Sequence, residues 1–227
     1  MSILFINRFF SDGCAEAEAE LINWWFEEHA PAMQNILEVK KGFLYRIVGV
    51  RNAPTFQIIM VVENCDTILT PEWQQNIYAS EWLTQLSLHF SWSAGVYEPI
   101  FPEKSIEESD FLDAQYVYIT RMTPIPQMEE AFNDIYNNEH LSDICNVPGV
   151  RNGRRYRRMD FAFPNSPKYV ALYELDDPLV EDKPEWAVAR KHSLQRGVLR
   201  SARYIKSFPG AYSKVLKTEQ LLRDSGA

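Results

Sequence analysis

The residues best suited to chemistry form two acid–histidine pairs in similar local sequences. Glu28-His29 lies within WWFEEHAP, and Glu139-His140 lies within YNNEHLSD. Histidine has an ordinary pKa near neutral pH, which suits general acid–base catalysis. Adjacent helical residues point about 100° apart, so one member of each pair can face a pocket while the other does not. We expect the histidines to face inward; the structural alternative is a histidine that caps a helix C-terminus.

An inward-facing histidine needs a group that orients it, and Tyr156 or Arg121 can supply one for His140. The run RNGRRYRRM contains five arginines. Alternation along a strand puts Arg154 and Tyr156 on one face, from which Arg154 can bind a carboxylate or phenolate. For most of the five, the alternatives are a solvated strand edge or a contact with the acidic first half.

Aromatic and amide side chains complete the predicted site. Aromatic residues make up 13% of the chain, which suits a pocket for an organic ligand, although packing in the core explains most of them equally well. The predicted catalytic residues are His140, His29, Tyr156 and Arg121, and the predicted substrate-binding residues are Trp25, Asn138, Tyr118, Arg154 and Tyr173.

Several other kinds of chemistry leave no signal in the sequence. There is no Gly-rich phosphate loop and no GxSxG motif. The three cysteines lack paired metal-ligand spacing. We therefore expect no organic cofactor and no metal. Haem stays open, because a single histidine is enough as its axial ligand.

The charge of the chain is acidic and unevenly distributed. The net charge is −8, which disfavours nucleic acid as a partner. Residues 1–113 carry 6 basic and 17 acidic side chains, a net charge of −11, and residues 114–227 carry 17 and 14, a net charge of +3. Few cysteines and the lack of a roughly 20-residue apolar stretch indicate a cytoplasmic protein without a membrane span.

Two halves of the sequence repeat one another at a nearly constant offset. LFINRFF corresponds to VYITRMT, with Arg8 matching Arg121, and both halves contain Pro-Glu-Trp near their second helix. Each half reads strand, helix, strand, strand, helix, strand, which is the βαββαβ order of a ferredoxin-like unit.

This repetition predicts an α+β protein made of two ferredoxin-like repeats. The sheet of one such unit leaves an apolar face that must be covered, so the two repeats are expected to pack sheet to sheet as a pseudo-two-fold barrel. The predicted boundaries are 1–102 for the first repeat, 103–113 for an acidic linker, 114–215 for the second repeat and 216–227 for a C-terminal tail.

The acid–histidine segments resemble those of the dimeric α+β barrel proteins, especially the EthD-like branch. WWFEEHAP carries the resemblance in the first half, and YNNEH, a following Pro-Gly-Val and Arg155-Tyr156 carry it in the second. The second half departs from the pattern, with Leu141-Ser142 after its histidine. The resemblance spans nearly the whole chain and implies a ligand pocket between helices and sheet in each unit. Relatives include cofactor-free monooxygenases, polyketide cyclases, lactone isomerases and haem-degrading enzymes.

Three functions remain open at the level of sequence. The first is a cofactor-independent isomerase, cyclase or lyase that acts on a small aromatic, phenolic or polyketide-like compound by acid–base chemistry. The second is a cofactor-free monooxygenase, in which Trp25 and Asn138 matter more than the histidines. The third is a non-catalytic accessory protein of a catabolic pathway. In each case the expected partner is a small hydrophobic or aromatic ligand. The sequence leaves open whether this ligand carries an anionic group and whether the protein forms a homodimer.

Overall fold

The computed structural model describes residues 3–49, 53–78, 88–102, 111–161, 163, 165–194 and 209–217, with only the backbone of residue 78 and residues 192–194. Most of the predicted linker and tail, and the ends of both predicted second helices, lie outside these ranges. Among the described residues, no helix is long and apolar enough to cross a membrane.

The elements follow the predicted order in both halves of the chain. The first half contains β1 (Ile3–Ser11), α1 (Ala15–Trp24), a first π-turn (Trp25–His29), α2 (Ala30–Gln34), β2 (Val39–Ile47), β3 (Phe56–Val62), α3 (Asp66–Leu69), α4 (Pro71–Tyr78) and β4 (Phe90–Phe101). The second half contains β5 (Tyr116–Met122), a 3-10 turn (Pro126–Met128), α5 (Glu129–Ile135), a second π-turn (Tyr136–His140), α6 (Leu141–Cys145), β6 (Val150–Arg158), β7 (Tyr169–Leu175), a 3-10 turn (Val180–Asp182), α7 (Pro184–Leu194) and β8 (Gly210–Lys214).

The eight described strands form an antiparallel barrel. Their hydrogen-bonding order is β1-β3-β2-β8-β5-β7-β6-β4, and this order closes on itself. A closed sheet leaves no long strand edge open to pairing with another chain. The predicted α+β class is therefore confirmed.

The chain divides into two compact units, each made of segments that are not contiguous in the sequence. Unit 1 comprises the described residues within Met1–Arg46, Pro54–Ala94 and Lys214–Ala227. Unit 2 comprises those within Ile47–Ala53 and Gly95–Ser213. Strand β4 is shared, since its end pairs with β6 inside unit 2. The boundaries read from the sequence stay predictions.

The strand registers of the two units repeat one another. In unit 1 β1 pairs with β3 so that Ile3 lies opposite Val62, and in unit 2 β5 pairs with β7 so that Tyr116 lies opposite Leu175. The β2–β3 pairing recurs as β6–β7 in the same way, including an irregularity near the start of β2 and of β6. Corresponding residues of the β1–β3 and β5–β7 pairings are thus separated by the same number of residues as Arg8 and Arg121.

The shared Pro-Glu-Trp places a buried tryptophan in each unit. Trp73 meets the ring of Phe5 edge-on, with 5.1 Å between ring centroids. Trp186 meets Tyr118 in the same way at 4.7 Å. Each indole packs its helix onto the first strand of its half, which agrees with a packing role for this motif.

The histidine of each half does not lie at a helix C-terminus, which was the structural alternative to a catalytic role. In the first half the backbone N–H of Ala30 donates to the carbonyl of Trp25, five residues back, and helix α2 continues the run. The N–H of Leu141 makes the same bond to Tyr136. Such π-turns widen a helix by one residue and occur often at functional sites. The histidines are therefore inside a continuous helical run and not at its C-terminus.

The paired glycines of β2 and β6 give a test of this packing. A Cβ atom on Gly153 would lie 2.7 Å from Cδ1 of Tyr173 and 2.8 Å from Sγ of Cys145, whereas one on Gly42 would lie 3.3 Å from Cη2 of Trp25. We expect Gly153→Ala to lower the free energy of unfolding by about 1–3 kcal/mol because it overpacks the core. Gly42→Ala should cost less, and urea unfolding of both variants measures the difference. Equal stability of Gly153→Ala and the wild type would contradict the described packing.

Candidate functional site

A cavity of about 620 Å³ lies in unit 1 between the first π-turn, strand β2 and the segment that follows β8. Nine of its twelve lining residues are of apolar or aromatic type, and most of the lining residues are half-buried. The lining residues are Trp25, Phe26, Ala30, Pro31, Gln34, Gly42, Phe43, Leu44, Lys214, Val215, Leu216 and Lys217.

Trp25 forms the inner wall of this cavity, and it is the one predicted substrate-binding residue that lines it. Only 2% of Trp25 is exposed. The edge of its indole reaches β2 at Gly42, where even a Cβ atom would come within 3.3 Å. A glycine at this position therefore lets the indole lie against the strand.

Two lysines bring positive charge to the outer wall of the cavity. Nζ of Lys214 lies 3.9 Å from the centroid of the Phe43 ring, which is a cation–π contact. Nζ of Lys217 lies 2.9 Å from Oε1 of Glu27 at the surface. An apolar, aromatic cavity with ammonium groups on one side suits a flat ring that carries an anionic oxygen.

His29 packs behind Trp25 and does not line the cavity. Its ring stacks on Trp24, with 4.2 Å between centroids, and lies 5.6 Å from the ring of Trp25. The side chain is 3% exposed, and Nε2 has no hydrogen-bond partner among the described residues. Burial lowers the pKa of His29 to about 3, so the imidazole is neutral at pH 7.

His140 occupies the corresponding place in unit 2. It is buried, and the edge of its ring meets Tyr136 at 4.6 Å between centroids. Burial lowers the pKa of His140 to about 4; the nearby Asp143 partly opposes this, and Arg155 adds to it. Both predicted catalytic histidines are thus neutral, desolvated side chains at neutral pH.

Tyr136 connects the second π-turn to the sheet through hydroxyl contacts. Its hydroxyl lies 3.2 Å from that of Tyr173 and 3.3 Å from Oγ1 of Thr120. Burial, and then the neighbouring Tyr136, raise the pKa of Tyr173 well above its usual value. Tyr173, predicted as a substrate-binding residue, is therefore a neutral phenol inside the core of unit 2.

A partly buried chain of polar side chains in unit 2 ends at Arg155, which was not among the predicted site residues. Tyr169 donates to Oε1 of Glu129 at 2.6 Å, and Nδ2 of Asn133 donates to the Tyr169 hydroxyl at 2.9 Å. The guanidinium of Arg155 donates to Oδ1 of Asn133 at 2.9 Å and to Oδ1 of Asn137. Strand alternation puts Arg155 on the same face of β6 as Gly153, and this pattern was the sequence signal that could have identified Arg155.

Three of the predicted residues, Arg121, Arg154 and Tyr156, lie away from His140. Alternation separates Arg121 and Tyr156 from it, because their strand neighbours Thr120 and Arg155 are the ones that contact Tyr136 on the helix side. On the opposite face, Arg154 lies 4.2 Å above the ring of Phe111, whose centroid is 6.1 Å from that of Tyr156, and Arg121 lies 6.0 Å from the centroid of Tyr212.

Two predicted substrate-binding residues, Asn138 and Tyr118, lie in different surroundings. Asn138 is exposed on the helix, where its Nδ2 donates to Oδ1 of Asp134 at 2.6 Å. Tyr118 is buried between Trp186 and Tyr173. The structure therefore brings Tyr118, Tyr173 and His140 into one core around Tyr136, and leaves Asn138 at the surface.

A second cavity of about 610 Å³ lies in unit 2 between the end of α6 and the start of α7. No predicted site residue lines it. Its lining residues are Asp143, Asn146, Val147, Pro148, Pro184, Glu185, Val188 and Ala189.

The described residues form no metal-ligand cluster, and neither described cavity carries a side chain that usually holds haem iron. Nowhere in the described ranges do three or more histidine, cysteine or acidic side chains cluster as metal ligands do. Haem iron in proteins is held by histidine, cysteine, methionine or tyrosine. Neither described cavity is lined by any of these residue types, so haem does not fit either of them.

No protein-family model and no curated protein matches the sequence, but solved structures match its fold. An anthrone oxidase-like protein has a TM-score of 0.67 at 12% identity, covering 95% of this chain and 92% of that one. A mutant chlorite dismutase from Candidatus Nitrospira defluvii has a TM-score of 0.59 at 13% identity, covering 98% and 94%.

A candidate monooxygenase from Lactobacillus acidophilus has a TM-score of 0.50 at 12% identity, covering 94% of this chain and 93% of that one. At these identities the similarity is one of fold. The chain therefore shares the fold of these solved structures.

The two buried histidines predict a loss of stability in mild acid. Their pKa values are lowered to about 3 and about 4 in the folded state, against about 6.5 when unfolded. The unfolded chain therefore binds protons below pH 6.5 that the folded chain does not. Each histidine should reduce the free energy of unfolding by up to about 1.4 kcal/mol per pH unit as the pH falls from 6.5 towards 4.

Urea unfolding between pH 8 and pH 5 measures this slope. His29→Gln and His140→Gln should each make the slope shallower, and the double variant shallower still. Stability at pH 8, where neither histidine titrates, separates this effect from altered packing. A wild-type slope that both variants leave unchanged would show that the histidines are not buried in the neutral form.

Proposed function

We propose that the protein is an enzyme that acts on a small aromatic compound with an ionisable oxygen, such as a phenol, bound in the unit 1 cavity. The observation that carries this proposal is an aromatic lining beside two lysines: the ammonium group of Lys214 lies against the ring of Phe43, and that of Lys217 pairs with Glu27. The aromatic walls match the ring of such a ligand, and the ammonium groups match its oxygen.

The lysines favour the ionised form of the bound compound. A nearby positive charge lowers the pKa of a phenol or enol, and a partly desolvated site strengthens the effect. The resulting oxyanion is electron-rich and can react directly with O₂. When a ring methylene is oxidised to a carbonyl in this way, one oxygen atom enters the product and the other leaves as water.

Cofactor-free oxidation by O₂ is the reaction that we favour. The fold neighbours include an anthrone oxidase-like protein and a candidate monooxygenase. Of the two residues predicted for an oxygenase, Trp25 lines the cavity and Asn138 does not. Acid–base catalysis by His29 or His140 has less support, since neither lines a described cavity. An isomerase or cyclase that stabilises the same oxyanion is the alternative, and it would consume no O₂.

We also propose a finer relationship within the fold. The repeated strand registers support two tandem ferredoxin-like units, and the two acid–histidine segments that resemble the EthD-like branch form the two π-turns. On this proposal, the π-turn is the inherited feature that borders the ligand gap of each unit.

Oxygen consumption with anthrone and with 1-naphthol tests the function. The wild type should take up O₂ with at least one of these compounds. The double variant Lys214→Gln/Lys217→Gln should lose about 10-fold in kcat/KM, because about 1.4 kcal/mol of oxyanion stabilisation corresponds to a tenfold rate change. Lys191→Gln, an exposed site on α7, is the matched control and should retain the wild-type rate.

The outcomes separate the candidate functions. Product formation without O₂ uptake would replace oxidation with isomerisation or cyclisation. Saturable binding of 1-naphthol without turnover would indicate an accessory binding protein. A double lysine variant as active as the wild type would contradict the role given to the cavity.

A further inference from the structure

Leu44 in unit 1 and Arg155 in unit 2 occupy corresponding strand positions. Leu44 lies opposite Ile58 in the β2–β3 pairing, and Arg155 lies opposite Ala171 in the β6–β7 pairing. Each is the fifth pairing along its register, and both registers have the same irregularity near their start. Leu44 forms part of the cavity wall in unit 1. The backbone of Arg155 therefore lies on the corresponding side of the equivalent gap in unit 2.

Arg155 crosses that gap and reaches the helix on the other side. Its guanidinium lies 4.2 Å above the ring of Tyr136 and donates to Asn133 and Asn137. Tyr136 and Asn137 begin the second π-turn as Trp25 and Phe26 begin the first, and both of the latter line the unit 1 cavity. The space that unit 1 leaves between these positions is filled in unit 2 by the chain's own guanidinium.

The surroundings of Arg155 form a site for a cation. The side chain is fully buried, and no carboxylate lies within ion-pair distance of it among the described residues. The faces of Tyr136, Tyr169 and Phe132 lie 4.2, 5.2 and 5.4 Å from the guanidinium carbon. Ring faces and two amide oxygens therefore offset part of the hydration that the buried positive charge loses, while Nε has no hydrogen-bond partner among the described residues.

We infer that Arg155 is the built-in occupant of the ligand gap of unit 2, held in an aromatic cage that is specific for guanidinium. The aromatic ligand of the chain accordingly binds in unit 1 and not at the corresponding place in unit 2. This second statement rests on the proposed function, whereas the cage itself does not.

Chemical rescue tests the cage directly. Arg155→Ala should lower the Tm by about 10 °C, since it removes a buried cation from its partners. Millimolar guanidinium chloride should restore part of that loss, because the free ion fits the vacated cage. Equal concentrations of sodium chloride and of urea, the neutral analogue of guanidinium, should not.

A matched control distinguishes the cage from a general effect of the salt. Arg157 lies two residues along the same strand and pairs at the surface with Glu98 at 2.5 Å. Arg157→Ala should lose little stability and gain nothing from guanidinium. An Arg155→Ala protein that is as stable as the wild type, or that guanidinium fails to stabilise, would overturn the inference.

Transplanting the arrangement into unit 1 tests the same idea without removing the cage. Leu44→Arg combined with Phe26→Asn should fill the unit 1 cavity and abolish binding of 1-naphthol in isothermal titration calorimetry. The converse variant, Arg155→Leu, should raise the number of 1-naphthol molecules bound per chain from one to two. Undiminished binding by the transplant would contradict the inference. If the wild type binds no aromatic ligand, the proposed function fails, while the guanidinium rescue still decides the occupancy of unit 2.

Discussion

Each unit of this fold must fill the gap between a helix with a π-turn and the strand onto which the helix packs. A large aromatic side chain begins each π-turn, Trp25 in unit 1 and Tyr136 in unit 2. The two gaps differ at a strand position and at the helix position that faces it. Leu44 leaves a cavity beside the indole, whereas Arg155 reaches across to the helix. The local architecture is thus shared, and the chemistry of the two gaps differs.

The α+β class and the order of elements could be predicted because they depend on patterns that repeat. Apolar strands of similar length and a second Pro-Glu-Trp appear at one offset, and the packing of Trp73 and Trp186 shows why that motif recurs. The division of β4 between the units could not be read in the same way. It depends on pairing between distant segments, which local hydrophobic patterns do not encode.

Most of the candidate site was harder to predict, for physical reasons that particular residues illustrate. Alternation correctly separates Arg154 from Arg155, but both faces of β6 are buried at this point, so the pattern does not reveal which arginine meets the helix. Lys214 and Lys217 reach the unit 1 cavity although they are far from β2 in sequence, and no motif connects them to it. Trp25 was identified because its π-turn carries the sequence signature of the family that it resembles.

We place the aromatic ligand beside Trp25 in unit 1 and not in the core of unit 2. Fluorine NMR of protein labelled with 5-fluorotryptophan tests this claim most directly, because the six tryptophans include Trp25 at the cavity and Trp186 in unit 2. With resonances assigned by single Trp→Phe variants, saturating 1-naphthol should shift the Trp25 signal and leave that of Trp186 in place. A shift of Trp186 with an unchanged Trp25 would contradict the account.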